Sequence, residues 1–315
     1  MKDKVIIITG PTASGKSDIA INIAKKIEGQ IISADSQQVY REMDIGTNKV
    51  TDSLEVEHHL LNVVNPDQEF TVDDFKKDAT EIISVLNSRF IMPIVTGGTG
   101  FYIDSLLFDM NYGQVKKDSN IRQRLQNLAS ANGNEYLYNK LNEIDPITAK
   151  KYHPNEVNRI IRALEIYEIT GEKPSDKRKG ERILNGNLDP ILFFLNYNDR
   201  KILYNRINDR VNDMITLGLV DEFRYLIDKY NLDEDSQSMA AIGYKEIFPY
   251  IRGDISLDEM ISLIQRNTRR YAKRQITWMK RYIDYPFTRE IIMDDLNKDD
   301  ATIIIEDLIK GMYEF

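Results

Sequence analysis

The chain has 315 residues, no cysteine and a formal net charge of -8 at pH 7. That length supports a sizeable core without covalent staples, and the missing thiols exclude cysteine nucleophiles, disulfides, Cys-ligated zinc and iron–sulfur clusters. The acidic total excludes a surface that binds nucleic acid all over, and no apolar run approaches membrane-spanning length.

In the first third, short apolar runs alternate with helical patterns, as expected of βαβ units around a parallel sheet. Val5–Thr9 is a strand, and Gly15–Ile27 carries apolar residues at helical spacing. Between them Gly10, Pro11, Thr12, Ala13, Ser14, Gly15, Lys16 and Ser17 match G-x-x-x-x-G-K-[ST]. In such a loop the backbone amides converge on phosphate oxygens, the helix dipole adds positive potential, Lys16 neutralises charge and Ser17 holds Mg2+. The motif recognises phosphates and leaves open what carries them.

Gln30–Ala34 is a second strand, ending at Asp35. A carboxylate at the carboxyl end of a strand beside a phosphate loop faces the ligand crevice, where Mg2+ binding and general-base chemistry are both open to it. His58 and His59 do not form a metal pair, since adjacent side chains point apart and no third soft ligand is near. Thr71 caps a helix running to about Asn87. Ile91–Thr96 is a strand that leads into Gly97-Gly98-Thr99-Gly100.

Residues 113–190 show no strand and break at Gly133, Pro146, Pro154 and Gly171, the pattern of an all-helical insertion. The fold expected is therefore α/β, a P-loop core from residues 1–112 and 191–315 with its parallel sheet flanked by helices, and a helical domain over 113–190. Residues 173–182 are polar enough for a mobile loop. Pro190–Tyr197 restores a strand, Arg200–Tyr230 and Leu257–Ile283 are long helical stretches, and 294–314 is an acidic amphipathic closing helix. Between Gln265 and Arg281 lie Arg266, Arg269, Arg270, Lys273, Arg274, Lys280 and Arg281 without one acidic residue, interleaved with Tyr271 and Trp278. That composition suits phosphate contacts with base stacking, and equally a solvated helix face.

Taken in order, GPTASGKS (10–17), ISADSQQVYREMDIGTNK (32–49), EHHLLNVVNP (57–66), VTGGTGFY (95–102), HPNEVNRIIRALEIYEITG (153–171), AAIGYKE (240–246) and TRRYAKRQITW (268–278) resemble tRNA dimethylallyltransferases of the bacterial type. The resemblance spans nearly the whole chain. It implies transfer of a dimethylallyl group from dimethylallyl diphosphate, with Mg2+ as cofactor, to the exocyclic amine of the adenosine 3′ of the tRNA anticodon. The phosphate loop then cradles a diphosphate, with Ser17 the metal ligand. Asp35 falls at the family's general base, Thr99 at a contact to the reacting nucleotide, and Arg210 of the Arg206-Ile207-x-x-Arg210 segment at a further diphosphate clamp.

On the same basis the tRNA anticodon stem-loop meets Asp35, Ser36, Gln37 and Gln38, then Arg122, Asn158, Arg159 and Arg162 of the helical insertion, Gly243, Tyr244 and Lys245, and finally Lys273, Arg274, Gln275, Thr277, Trp278 and Lys280. A cytoplasmic monomer is expected. The basic stripe and the Asn158–Arg162 helix weigh against the two rivals, an adenylate isopentenyltransferase and a P-loop small-molecule kinase.

Overall fold

A computed structural model describes residues 2–49, 56–109, 118–177 and 183–313. The chain forms two compact units, Met1–Leu107 with Asn185–Phe315, and Phe108–Leu184. Among the described residues no helix is long and apolar enough to cross a membrane.

The first unit begins with β1 (Asp3–Thr9), α1 (Lys16–Ile27), β2 (Gln30–Ser33), β3 (His58–His59), α2 (Val72–Ser88), β4 (Pro93–Gly97) and α3 (Gly100–Leu107). The second unit is helical, with α4 (Ser119–Asn132), α5 (Asn134–Ile144), α6 (Pro146–Ala149), α7 (Val157–Thr170) and α8 (Pro174–Lys177). The chain then completes the first unit with β5 (Leu188–Asn196), α9 (Arg200–Thr216), α10 (Leu219–Tyr230), α11 (Ile247–Ile251), α12 (Leu257–Met279), β6 (Thr288–Ile292) and α13 (Lys298–Met312). The six strands pair in parallel in the order β3-β2-β4-β1-β5-β6.

Parallel strands covered on both faces need near-continuous apolar runs. Accordingly Val5 to Ile8 of β1 and Leu192 to Leu195 of β5 are wholly buried. The Thr71 cap sets the start of α2, its hydroxyl accepting from the Asp74 amide in a reciprocal capping box. The strand expected over 91–96 begins only at Pro93, because the Ile91 amide still bonds to Leu86 O in the closing turn of α2. The stretch expected as one helix over 200–230 is two. Gly218 adopts φ 97° and caps α10, a left-handed conformation that ends α9 and that glycine accepts without steric cost.

The units divide at 107/108 and 184/185. Here the Asn185 amide bonds to Leu107 O at 2.9 Å, and β5 begins two residues ahead of Pro190. Of the loop expected at 173–182, Pro174–Lys177 form α8 and 178–182 lie outside the described residues. The edge strands β3 and β6 were not expected, being two and five residues long with no run of buried positions.

Leu125, Leu137, Leu141, Ile160 and Leu164 form the core of the helical unit. Beside it sits Glu165, fully buried. Its carboxylate accepts from Arg122 Nε at 2.9 Å and Nη2 at 3.0 Å, from Arg162 Nη1 at 2.6 Å and from the Asp118 amide at 2.8 Å. Burial alone would push this carboxyl up, but these donors outweigh it and hold it below the usual range. Its contribution is thus present at neutral pH and lost as pH falls through the depressed value. Glu165→Ala is expected to destabilise the unit by about 2 kcal/mol or more, by leaving two guanidinium groups without their shared acceptor. Urea unfolding followed in that unit checks this, and a change below about 0.5 kcal/mol would reject it.

Candidate active site

Strand register brings the chemical residues to one edge. Thr9 pairs with Gly97 and Ser33 with Thr96. The residues that follow, the phosphate loop after β1, Asp35 after β2 and Gly98-Thr99 after β4, therefore emerge together at the carboxyl ends of neighbouring strands. In open parallel sheets that is where ligands bind.

The phosphate loop turns into α1 through Gly15, whose φ of 87° is left-handed and sets the first amides of the helix toward the loop. Several side chains brace it. Arg206 Nε bonds to Ala13 O and Arg210 Nη1 to Thr12 Oγ1, both at 2.9 Å. Gln275 Oε1 accepts from the Thr12 amide at 2.8 Å while its Nε2 donates to Gly98 O at 3.0 Å, tying the loop to the β4 turn. The Ser36 amide donates to Thr99 Oγ1 at 3.1 Å and the Gln37 amide to Asp35 Oδ1 at 2.9 Å, fixing the turn that carries Asp35.

Two connected spaces open here. A small polar chamber of about 50 Å³ is lined by Lys16, Ser17, Asp35, Gln38, Thr47, Thr96, Arg210, Tyr271 and Gln275, among others. A cleft of about 270 Å³ shares Thr12, Asp35, Thr47, Arg210 and Tyr271 with it and continues along Ile207, Val211, Met214, Ala240, Ala241, Ile242 and Ile264. Ile207, Arg210, Val211 and Met214 follow helical spacing on α9, and Ile264, Thr268 and Tyr271 do so on α12. Arg210 and Tyr271 thus stand at the polar junction, with Met214 and Ile264 about one and two helical turns, ~5.4 Å each, farther on. The site thus joins a cationic chamber to a cleft with an aliphatic wall of Ile207, Val211, Met214 and Ile264, and Lys245 and Arg274 also line that cleft.

Its electrostatics fit an anion. Desolvation, opposed by Asp35 and reinforced by Arg210, holds the Lys16 ammonium down at about 8. Desolvation also lowers Arg210, again against Asp35. Burial, reinforced by Asp35, holds the Tyr271 hydroxyl above its ordinary value, so it stays protonated. Two cations confined beside one carboxylate leave excess positive charge where phosphate oxygens would enter.

Not every residue expected to meet RNA is exposed. Lys245, Lys273, Arg274, Thr277 and Lys280 are exposed and Trp278 is half-buried, with Arg281 3.8 Å over its ring. Tyr244 and Gln275 are corrections: Tyr244 is 0% and Gln275 4% exposed. Tyr244 bonds to Glu222 and Gln275 braces the phosphate loop, so both are interior. Gly243 is buried as well. In the helical unit Arg122 and Arg162 aim at Glu165 rather than outward, whereas Asn158 and Arg159 are exposed, Arg159 pairing with Glu156. Sequence reasoning missed the apolar wall of Ile207, Val211 and Met214. Its signal was there in the helical spacing that follows Arg206.

A phosphate loop on an inner strand of a parallel sheet, facing a strand-end carboxylate, defines a P-loop phosphate-binding protein. Sequence comparison narrows the class. The family described as IPP transferase matches residues 38–282, and that described as isopentenyl transferase matches residues 3–59. A tRNA dimethylallyltransferase of Thermoanaerobacter sp. (strain X514) is 48% identical over 299 residues, 94% of this chain and 93% of that one. The chain belongs to the tRNA dimethylallyltransferase (IPP transferase) family. Among solved structures, the tRNA isopentenylpyrophosphate transferase of Bacillus halodurans superposes with a TM-score of 0.70 at 39% identity, covering 98% of this chain and 96% of that one. A eukaryotic dimethylallyltransferase, captured acting on tRNA, gives 0.78 at 30% identity, covering 98% and 80%.

Proposed function

We propose that the protein, a cytoplasmic monomer, transfers the dimethylallyl group of dimethylallyl diphosphate to the N6 amine of the adenosine 3′ of the tRNA anticodon and releases diphosphate. The observation that carries this reading is the division of the site: Lys16, Ser17 and Arg210 at one end, an aliphatic wall at the other, and Asp35 at the junction. A substrate with a diphosphate head and a branched five-carbon tail uses both.

In the reaction, N6 attacks the allylic carbon as that carbon's bond to the diphosphate oxygen breaks, and the bonding pair leaves with the diphosphate. Lys16, Arg210 and the loop amides stabilise the charge that develops there. The proton released from N6 passes to the Asp35 carboxylate, held by the Gln37 amide. Thr99 acts on this step by fixing the Ser36 amide beside Asp35. A metal fits the chamber, since Ser17 and Thr96 offer hydroxyl oxygens there and Thr96 Oγ1 is buried without a protein partner. A bound Mg2+ would neutralise the leaving diphosphate.

The exposed groups Lys245, Lys273, Arg274, Thr277 and Lys280 would contact the stem-loop backbone, and Trp278 a base. Asn158 and Arg159 of the helical unit would meet the same RNA. The target base would leave its stack to reach Asp35. Arg274, which lines the cleft with its guanidinium 5.7 Å from the Tyr271 ring, is the sharpest test of this surface. Arg274→Ala is expected to weaken stem-loop binding and reduce the salt slope by about 1. An unaltered slope would return it to a solvated helix face.

The reading as a whole is tested by offering labelled dimethylallyl diphosphate with Mg2+ and ATP to either an anticodon stem-loop or AMP. Label on the RNA alone is expected. Label on AMP alone would make the protein an adenylate isopentenyltransferase, and ATP consumption with neither labelled would make it a kinase.

A further inference from the structure

On the cleft wall three successive backbone amides converge on one carboxylate. Glu222 of α10 accepts from the Asp44 amide at 2.9 Å and the Ile45 amide at 2.8 Å through Oε2. Its Oε1 accepts from the Gly46 amide at 3.1 Å and the Tyr244 hydroxyl at 2.6 Å. Consecutive amides aimed at one anion form a nest, the device by which a phosphate loop holds its ligand. Here the protein fills it with its own side chain.

The two segments so joined are walls of the site. Gly46 and Thr47 line the cleft, and Thr47 and Asn48 the polar chamber, while Ala240, Ala241, Ile242 and Lys245 come from the segment that carries Tyr244. Glu222 itself lines neither space. The junction is close. A Cβ on Gly46 would stand 2.3 Å from the Tyr244 ring, so glycine is required there. Lys49 Nζ ties the far side of the turn to Tyr40 O, Asp44 Oδ1 and Asn62 Oδ1, each at 2.7 Å. Gln38 Nε2 adds a bond to Thr47 O at 3.2 Å.

We infer that Glu222 is a positioning residue for the transfer reaction, holding the 44–46 turn and the Tyr244 segment in register as two walls of the cleft; this rests on the function proposed above. A carboxylate is needed because both oxygens accept two bonds each. A glutamine in its place would offer one acceptor oxygen and turn an NH2 group toward two hydrogen-bond donors. The phosphate loop is braced separately by Arg206, Arg210 and Gln275, so loss of Glu222 disturbs reactant alignment and leaves the diphosphate cradle in place.

The test uses the full chain. Glu222→Ala is expected to lower kcat about tenfold or more, since small misplacements at reacting centres cost that much, with inorganic diphosphate affinity unchanged within about twofold. Hydrogen exchange at the Asp44, Ile45 and Gly46 amides should quicken. Added acetate should refill the nest, restoring part of kcat and of the exchange protection, while chloride at equal ionic strength should not. Gly46→Ala, which displaces Tyr244 directly, should lower kcat similarly, and the double variant should be no worse than the poorer single one. A kcat within about twofold of the parent in Glu222→Ala, or unaltered exchange at 44–46 with additive losses, would overturn the inference. If Glu222→Ala does not fold, Glu222→Gln is measured instead and judged by the same outcomes. A parent chain that transfers no dimethylallyl group would instead reject the function proposed above, while the exchange and acetate measurements would still report on the nest.

Discussion

Replacing Asp35 with asparagine is expected to lower turnover at saturating substrates about a hundredfold or more, with tRNA binding largely preserved. The asparagine side chain would keep an oxygen to accept from the Gln37 amide, so the turn survives while proton acceptance is lost. One side effect must be separated from this. The Asp35 charge supports the ammonium of Lys16, which stands at about 8 even with that help. The variant is therefore compared with its parent well below pH 8, where Lys16 is charged in both. Single-turnover rates under those conditions isolate the proton transfer. Turnover equal to the parent would remove Asp35 as the base.

Lys16→Ala should weaken diphosphate binding and turnover together, again by about a hundredfold, because the same charge holds the ground state and the leaving group. The pH dependence gives an independent handle. Desolvation and Arg210 lower Lys16 to about 8 in the free protein. Its cation is complete below that pH and lost above it, whereas a bound diphosphate favours the charged form. Affinity for diphosphate should therefore fall by up to about tenfold per pH unit above 8, and binding there should take up a proton. Calorimetry in two buffers of different ionisation enthalpy measures that uptake. Lys16→Ala should abolish it; uptake that persists in the variant would assign the proton elsewhere.

The two effects come from residues that the sequence displays in different ways. Phosphate-loop residues are contiguous and Asp35 and Thr99 sit at strand ends, so motif and periodicity suffice to bring them to one crevice. Arg210 lies far from the loop in sequence, and only the likeness to known relatives singled it out before its bond to Thr12 was seen. Partnership is what the chain hides. Arg122 reads as an RNA-facing cation because its partner Glu165 is 43 residues away, and Arg162, only three residues before Glu165, because the sequence does not show that this carboxylate is buried and shared. Tyr244 and Gln275 sit in segments rich in candidate RNA contacts, yet each spends its polar atoms inside the protein. The very short β3 and the edge strand β6 escaped because a strand with one poorly covered face leaves too few apolar positions to show a period.

The central claim, alkylation of one tRNA adenosine by an isoprenoid diphosphate, is tested most directly by mass mapping of unmodified tRNA after incubation with the protein, Mg2+ and dimethylallyl diphosphate. The account predicts that one adenosine, immediately 3′ of the anticodon, gains the mass of a dimethylallyl group in place of a hydrogen, with diphosphate released in equal amount. Unmodified tRNA, or a modified nucleotide at another position, would contradict it.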